Sequence, residues 1–443
     1  MSSSWLSFPV LISLLFILSI SSAQAVVPAN ATFKYTNEGD LGDYVVEYDA
    51  NYRTLPIARF PFQICFYNTT PTAFILGLRM GDRRSESTMR WVWDANRAKP
   101  VQEKATLTFG TDGNLVLTDA DGTIAWQTGT ANKDVVGLEL LTNGNLVLVD
   151  VKGKFVWQSF DHPTDTLLPG QSLLSSGPNK LISRLSDIEA SDGPYSYVIE
   201  KSQMSLYYQP NNTKTPILYN KNEFGTGKDI LSRILFIIKL FTLIGSDTVW
   251  AYEFHLHSFM NNSTSSSGNS VLSRAKYNAT YSMLRVDGDG NLKIYTYEEH
   301  VDYGAWELTY VLFDRDQGRE SECKLPQRCG LLGVCEDDQC VACPTPNGLT
   351  GWSKTCAPPI LPECGKGAVD YYKVVGVEHF TNGITSGTPR STLADCRKKC
   401  DSDCKCLGFF YREDSSTCLT APALGALNKV SNSSHAAYVK MSK

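Results

Sequence analysis

Three side chains in SFDHPTDT, Asp161, His162 and Asp165, are of the types that perform acid–base chemistry. Aspartate before His-Pro is also an ordinary turn former, and Thr164 and Thr166 can bond the backbone there, so the turn is the stronger reading. No nucleophile elbow, phosphate-binding glycine loop or zinc-protease helix accompanies them. The expectation is a protein without enzymatic activity and without a cofactor.

A second polar set recurs. FGTDGNLVLTDADGTIAW (Phe109 to Trp126) returns as LLTNGNLVLVDVKGKFVW (Leu140 to Trp157) 31 residues later, and GDGNLKIYT (Gly288 to Thr296) is a fainter third copy. Strand alternation places Gly110, Asp112, Asn114, Val116 and Thr118 on one face, with Leu115 and Leu117 on the other. The second unit offers Leu141, Asn143, Asn145, Val147 and Val149. The third offers Asp287, Asp289, Asn291, Lys293 and Tyr295. Such a face is either a row of binding groups or the grammar of hairpin turns, since Asp-Gly and Asn-Gly pairs are the strongest short-range hairpin signal.

The elements that must position these residues are strands. From Val26 to about Asp316, short runs of Val, Leu, Ile, Phe, Tyr and Trp alternate with turn pairs, and no helical periodicity intervenes. Trp91, Trp93, Trp126 and Trp157 anchor three similar units, which predicts a threefold prism with tryptophans meeting at its centre. One stretch, KDILSRILFIIKLFTLIG (Lys228 to Gly245), is more apolar than its neighbours and reads either as a buried strand pair or as an aberrant segment.

Composition sets the compartment. The start, MSSSWLSFPVLISLLFILSISSAQA, is an apolar run ending in Ala23-Gln24-Ala25, a signal peptide over residues 1–25. No later stretch spans a bilayer, because Arg233 and Lys239 interrupt the closest candidate. Seven Asn-x-Ser/Thr acceptors agree with export: Asn30, Asn68, Asn211, Asn261, Asn262, Asn278 and Asn432, of which adjacent Asn261 and Asn262 are not both expected to carry a glycan. The net charge of −5 and scattered Lys and Arg leave no footprint for nucleic acid. Of 13 cysteines, Cys65 stands alone, expected as a buried free thiol, and twelve lie between Cys323 and Cys418. In an exported chain that clustering reads as two disulfide frameworks rather than metal sites, since only His379 falls within its span. Leu393, Cys396 and Cys400 share one face of a short helix capped by Ser391 or Thr392.

These motifs together carry a resemblance. RWVWDANRAKPV, the paired GNLVL units and FVWQSFDHPTDTLLPGQSL closely resemble plant S-locus-type glycoproteins. VACPTPNGLTGW, CKCLGFF and the terminal AAYVK are similar to the epidermis-specific secreted branch. The resemblance implies a mainly β chain of tandem bulb-type lectin β-prism domains, then a disulfide-rich EGF-like module and a small α+β PAN (apple) domain. The expected spans are 26–170, 171–318, 319–360 and 361–443. It also implies Cys396–Cys418 and Cys400–Cys406, Cys323–Cys335, and Cys329 with Cys340 or Cys343. The family's mannose motif, Gln-x-Asp-x-Asn-x-Val-x-Tyr, lays the candidate carbohydrate contacts on Asp112, Asn114, Val116, Asn143 and Asn145, yet every unit lacks at least two of its five groups. The expected partners are extracellular proteins or cell-wall glycans, with a homo-oligomer left open. A mannose-specific lectin is the second reading.

Overall fold

The computed structural model describes residues 26–443 except 83–87, 226–227, 243–244, 246–248, 277–280, 302 and 317. The expected signal peptide and Asn278 lie outside the described residues.

The turns between the short apolar runs yield antiparallel sheets, and three of them close the first prism. One joins Phe33–Thr36, Thr106–Phe109, Leu115–Thr118 and Ile124–Gln127; a second joins Asn51–Arg59, Phe62–Asn68, Phe74–Met80 and Arg90–Asp94; a third joins Val135–Leu140, Leu146–Asp150 and Phe155–Gln158. Alternation sends Leu107, Leu115, Leu117, Leu146 and Leu148 into a common core. At its end Trp93, Trp126 and Trp157 meet edge to face, with ring centres 5.7–6.2 Å apart. Trp91 does not join them. Two positions before Trp93 it lies on a different surface, stacked on Tyr67 at 3.8 Å.

A second prism repeats the plan with sheets built on Lys180–Arg184 to Ile217–Glu223, on Ser172–Leu174 with Leu231–Thr242, Val249–Met260 and Gly268–Arg274, and on Thr166–Leu167 with Tyr281–Val286, Leu292–Tyr297 and Trp306–Val311. The apolar 228–245 stretch is thus an ordinary inner strand over Leu231–Thr242. Its Ile234 and Phe236 point into the core, while Leu240 at the far end is exposed. Leu167 packs in the second core and its neighbour Leu168 in the first. One residue of alternation therefore passes the chain between prisms, and the strand at Thr166–Leu167 already belongs to the second one, ahead of residue 171.

The prisms meet over a buried charged seam. Arg97 donates to Asp94 at 2.8 Å and also to Asp165, and Arg285 donates to Glu47 at 2.7 Å. Tyr67 donates its hydroxyl proton to Asp94 at 2.8 Å and receives Arg184 at 2.9 Å. Burial alone would raise the Asp165 carboxyl, but Arg97 and then Arg285 outweigh it and hold it below the usual carboxylate range. Cys65, fully buried in Phe62–Asn68, is the free thiol, and burial pushes it up to about 12 against the pull of Arg79.

The C-terminal unit is disulfide-rich. Its bonds are Cys323–Cys335, Cys329–Cys340, Cys343–Cys356, Cys364–Cys404, Cys396–Cys418 and Cys400–Cys406. The helix Leu393–Asp401 starts at Thr392 in a capping box with Asp395 and buries Cys396 and Cys400. A five-stranded sheet crosses residue 360: Leu332–Glu336 pairs in parallel with Gly425–Lys429, and Leu332 and Val334 share a core with Tyr372 and Val439. The two cysteine frameworks are separate in bonding but continuous in packing.

His379 is sealed inside this unit, its Nδ1 2.7 Å from Thr381 Oγ1 and its Nε2 2.9 Å from the Ala423 carbonyl. Burial pulls its pKa down to about 4, more than the Ala423 carbonyl raises it. The unfolded chain therefore binds a proton that the folded chain refuses. Stability is full above the unfolded pKa of about 6.5 and falls by about 3 kcal/mol as pH drops toward 4. Urea titrations across that window should show this loss for the natural chain and a flatter profile for His379→Gln. Equal slopes would contradict the assignment.

Candidate carbohydrate site

The repeated Asp-Gly-Asn or Asn-Gly-Asn tripeptide has a physical task at each position. The first residue caps the turn: Asp112, Asn143 and Asp289 accept the backbone N–H of Asn114, Asn145 and Asn291 at 3.1, 3.2 and 2.8 Å. The glycines have φ of +79°, +85° and +84°, and a Cβ would sit 2.6–2.7 Å from Val135, Leu168 and Tyr195 respectively. Glycine is therefore required twice over, by torsion and by space.

The asparagine is a staple. Asn114 is buried; its Nδ2 donates to Gln127 at 2.9 Å, and its Oδ1 accepts Thr128 Oγ1–H at 3.0 Å and the Thr130 N–H at 3.1 Å. Asn145 does the same with Gln158, Ser159 and the Phe160 N–H. Asn291 bonds both the carbonyl and the N–H of Phe313, at 2.6 and 3.1 Å. In all three the amide ties the start of one strand to the end of the next hairpin.

This geometry changes the expected face. Regular strand begins at Leu115 and Leu146, so Asp112 and Asn143 lie in turns, and the alternation reaches neither. Asp112 is exposed, Asn114 and Asn145 point inward, Val116 is half-buried and Val147 is buried. In the third unit the polar groups satisfy one another. Lys293 lies 2.9 Å from Asp287 and 2.8 Å from Asp289, and Tyr295 donates to Asp287 at 2.6 Å. Burial works against the Lys293 charge, but the two aspartates outweigh it and hold its pKa above the usual range. Asn291→Ala would orphan both backbone groups of Phe313, at a cost of about 1–3 kcal/mol for each buried group left unpaired. A thermal melt of that variant measures it, and a melt unchanged from the natural chain would sink the staple role.

The acid–base trio disperses. Asp161 accepts from Gln158 Nε2 at 3.1 Å, His162 stacks on Trp157, and Asp165 belongs to the inter-prism seam. Among the described residues no cluster of three or more His, Cys, Asp or Glu could hold a metal.

The D-mannose binding lectin family matches residues 88–186, which contain both tryptophan-ended repeats. EP1-like glycoprotein 2 of Arabidopsis thaliana is 47% identical over 460 residues, spanning 98% of this chain and 99% of its own length. Epidermis-specific secreted glycoprotein EP1 of Daucus carota is 51% identical over 393 residues, spanning 83% of this chain and 98% of its own. The chain belongs to this family of EP1-like secreted glycoproteins. Among solved structures it is similar to the fetuin-binding Scilla campanulata agglutinin, a two-domain lectin, at 15% identity over 64% of this chain and 100% of that one, with a TM-score of 0.20. No helix among the described residues is long and apolar enough to cross a membrane.

The acceptor asparagines of this EP1-like chain are unequal. Asn30, Asn211, Asn261, Asn262 and Asn432 are exposed, whereas Asn68 is 4% exposed at the end of an inner strand. Asn261 donates its Nδ2 to Asp229 at 3.0 Å and accepts the Ile230 N–H, both of which a glycan would disturb. Glycopeptide mapping should therefore find Asn262 occupied in preference to Asn261, and Asn68 bare. A glycan on Asn68 would contradict the burial assigned to it.

Proposed function

We propose that the protein is a non-enzymatic extracellular or cell-wall glycoprotein whose two prisms are degenerate lectin scaffolds, presented with EGF-like and PAN modules to extracellular proteins or wall glycans. The observation that supports this reading is the use of each repeat asparagine as an internal staple. A sugar hydroxyl would have to compete with Gln127, Thr128 and Thr130 for Asn114, and with Gln158 and Phe160 for Asn145. In the third unit the Lys293 ammonium stands between the carboxylates a sugar would need.

The second reading is a mannose lectin using the first unit, favoured by exposed Asp112 and half-buried Val116 in the same repeat. With so few polar contacts its affinity would be about millimolar, and useful only through clustering. A glycan array probed with the mature protein, beside a pull-down from extracellular extract, distinguishes the two. Selective, saturable binding to mannose-terminated glycans favours the lectin and overturns the degenerate-scaffold reading.

A further inference from the structure

A groove of about 600 Å³ runs between the second prism and the disulfide-rich unit, with Leu185, Pro194 and Asn211 on one wall and Leu331, Leu407 and Pro422 on the other. The junction is pinned from both sides. Asn212 donates its Nδ2 to the Pro422 carbonyl at 2.6 Å and the Lys405 carbonyl at 3.3 Å, and Gln327 bridges the hydroxyls of Tyr195 and Tyr208 at 3.1 and 2.9 Å. Two leucines in the groove stay uncovered by protein: Leu185 is 44% exposed and Leu331 is 51% exposed. The acceptor sequon Asn211-Asn212-Thr213 sits on the wall, with Asn211 exposed and held in place because its neighbour Asn212 is tied across the junction.

We propose that the inner sugars of an N-linked glycan on Asn211 lie in this groove and brace the second prism against the C-terminal unit. The occupant is thus part of the molecule, joined at a residue that lines the groove. The chemistry matches. The C–H faces and acetyl methyls of N-acetylglucosamine cover aliphatic side chains such as Leu331, Leu407 and Pro422, while their hydroxyls face exposed Asp192 at the same groove. A groove of this size falls within the range, about 300–1,000 Å³, that small ligands fill. The inference rests on export of the chain and on use of this acceptor.

The test uses the full secreted chain from a glycosylating host, digested natively with an endoglycosidase and followed site by site by glycopeptide mass. The Asn211 glycan should be released about tenfold more slowly than that on exposed Asn30, with the difference vanishing after denaturation. Leu331→Ser, a change at an exposed side chain that folding tolerates, should bring the Asn211 rate toward that of Asn30. Equal native rates, or a Leu331→Ser variant that leaves a slow Asn211 rate unchanged, would overturn the proposal. An unmodified Asn211 beside occupied Asn30 and Asn262 would overturn it while leaving the glycoprotein reading standing. Bare acceptors throughout would overturn both.

Discussion

Arg285→Ala should lower the folding stability of the prism pair by about 3–5 kcal/mol, the usual cost of leaving a buried charge without its partner. Arg285 is 2% exposed, and its guanidinium reaches Glu47 at 2.7 Å, Thr166 Oγ1 at 3.2 Å and the Trp91 carbonyl. Glu47 and Trp91 belong to the first prism, whereas Thr166 and Arg285 belong to the second. Removing the fork leaves Glu47 with Arg90 and the Trp91 N–H only, and takes from Asp165 one of the two cations that hold it ionised. The Asp165 contribution is present above the usual carboxylate pKa of about 3.9 and is lost as pH falls. Acid unfolding of the variant should therefore begin at higher pH than in the natural chain. Arg285→Lys keeps a charge but not the planar fork, so it should recover only part of the loss. Urea unfolding read from tryptophan fluorescence measures both. A loss below about 1 kcal/mol would show that the seam is screened like a surface pair.

Opening Cys364–Cys404 should cost about 4 kcal/mol, and opening Cys400–Cys406 about 2, because the cross-link acts chiefly on the unfolded chain and the loops closed are 40 and 6 residues long. Cys364 and Cys404 are also exposed, whereas Cys396, Cys400, Cys406 and Cys418 are buried. The bond that contributes most by this argument is the one a reductant reaches first. Stepwise reduction with alkylation and peptide mapping should trap an intermediate labelled at Cys364 and Cys404, with a lowered melting temperature for the C-terminal unit. Simultaneous opening of all six bonds would contradict that order.

The prism was legible because its signals are local. Turn pairs fix hairpins, alternation fixes the leucine core, and three of the four anchoring tryptophans meet as their spacing implies. The apolar stretch at 228–245 was ambiguous only because one of its faces serves the core and the other is half-covered, a difference that periodicity blurs in a long inner strand. Trp91 escaped because the register slips at Val92, where the strand has one residue more than its partner, so Trp91 and Trp93, which simple alternation would put on one face, end on different ones. The seam could not be read at all: Glu47 and Arg285 are 238 residues apart, and a lone charge in a strand looks the same whether it meets water or a distant partner. The parallel pairing of Leu332–Glu336 with Gly425–Lys429 was hidden for the same reason.

The candidate sugar contacts were misplaced by one assumption, that strand alternation runs through the Asp-Gly-Asn turn. Gly113 reverses the backbone at φ +79°, so Asn114 turns toward Gln127 and Thr130 instead of standing beside Val116. A signal was present in the sequence: Gln127 and Gln158, and Thr128 and Ser159, recur in step with Asn114 and Asn145, which is the pattern of a paired internal contact.

Calorimetric titration of an α-mannose oligomer into the mature protein and into Asp112→Ala decides whether the repeats bind sugar. With the repeat asparagines held internally, neither protein should show saturable heat below about millimolar sugar. A micromolar site in the natural chain that Asp112→Ala abolishes would show that the first unit binds sugar despite its staple.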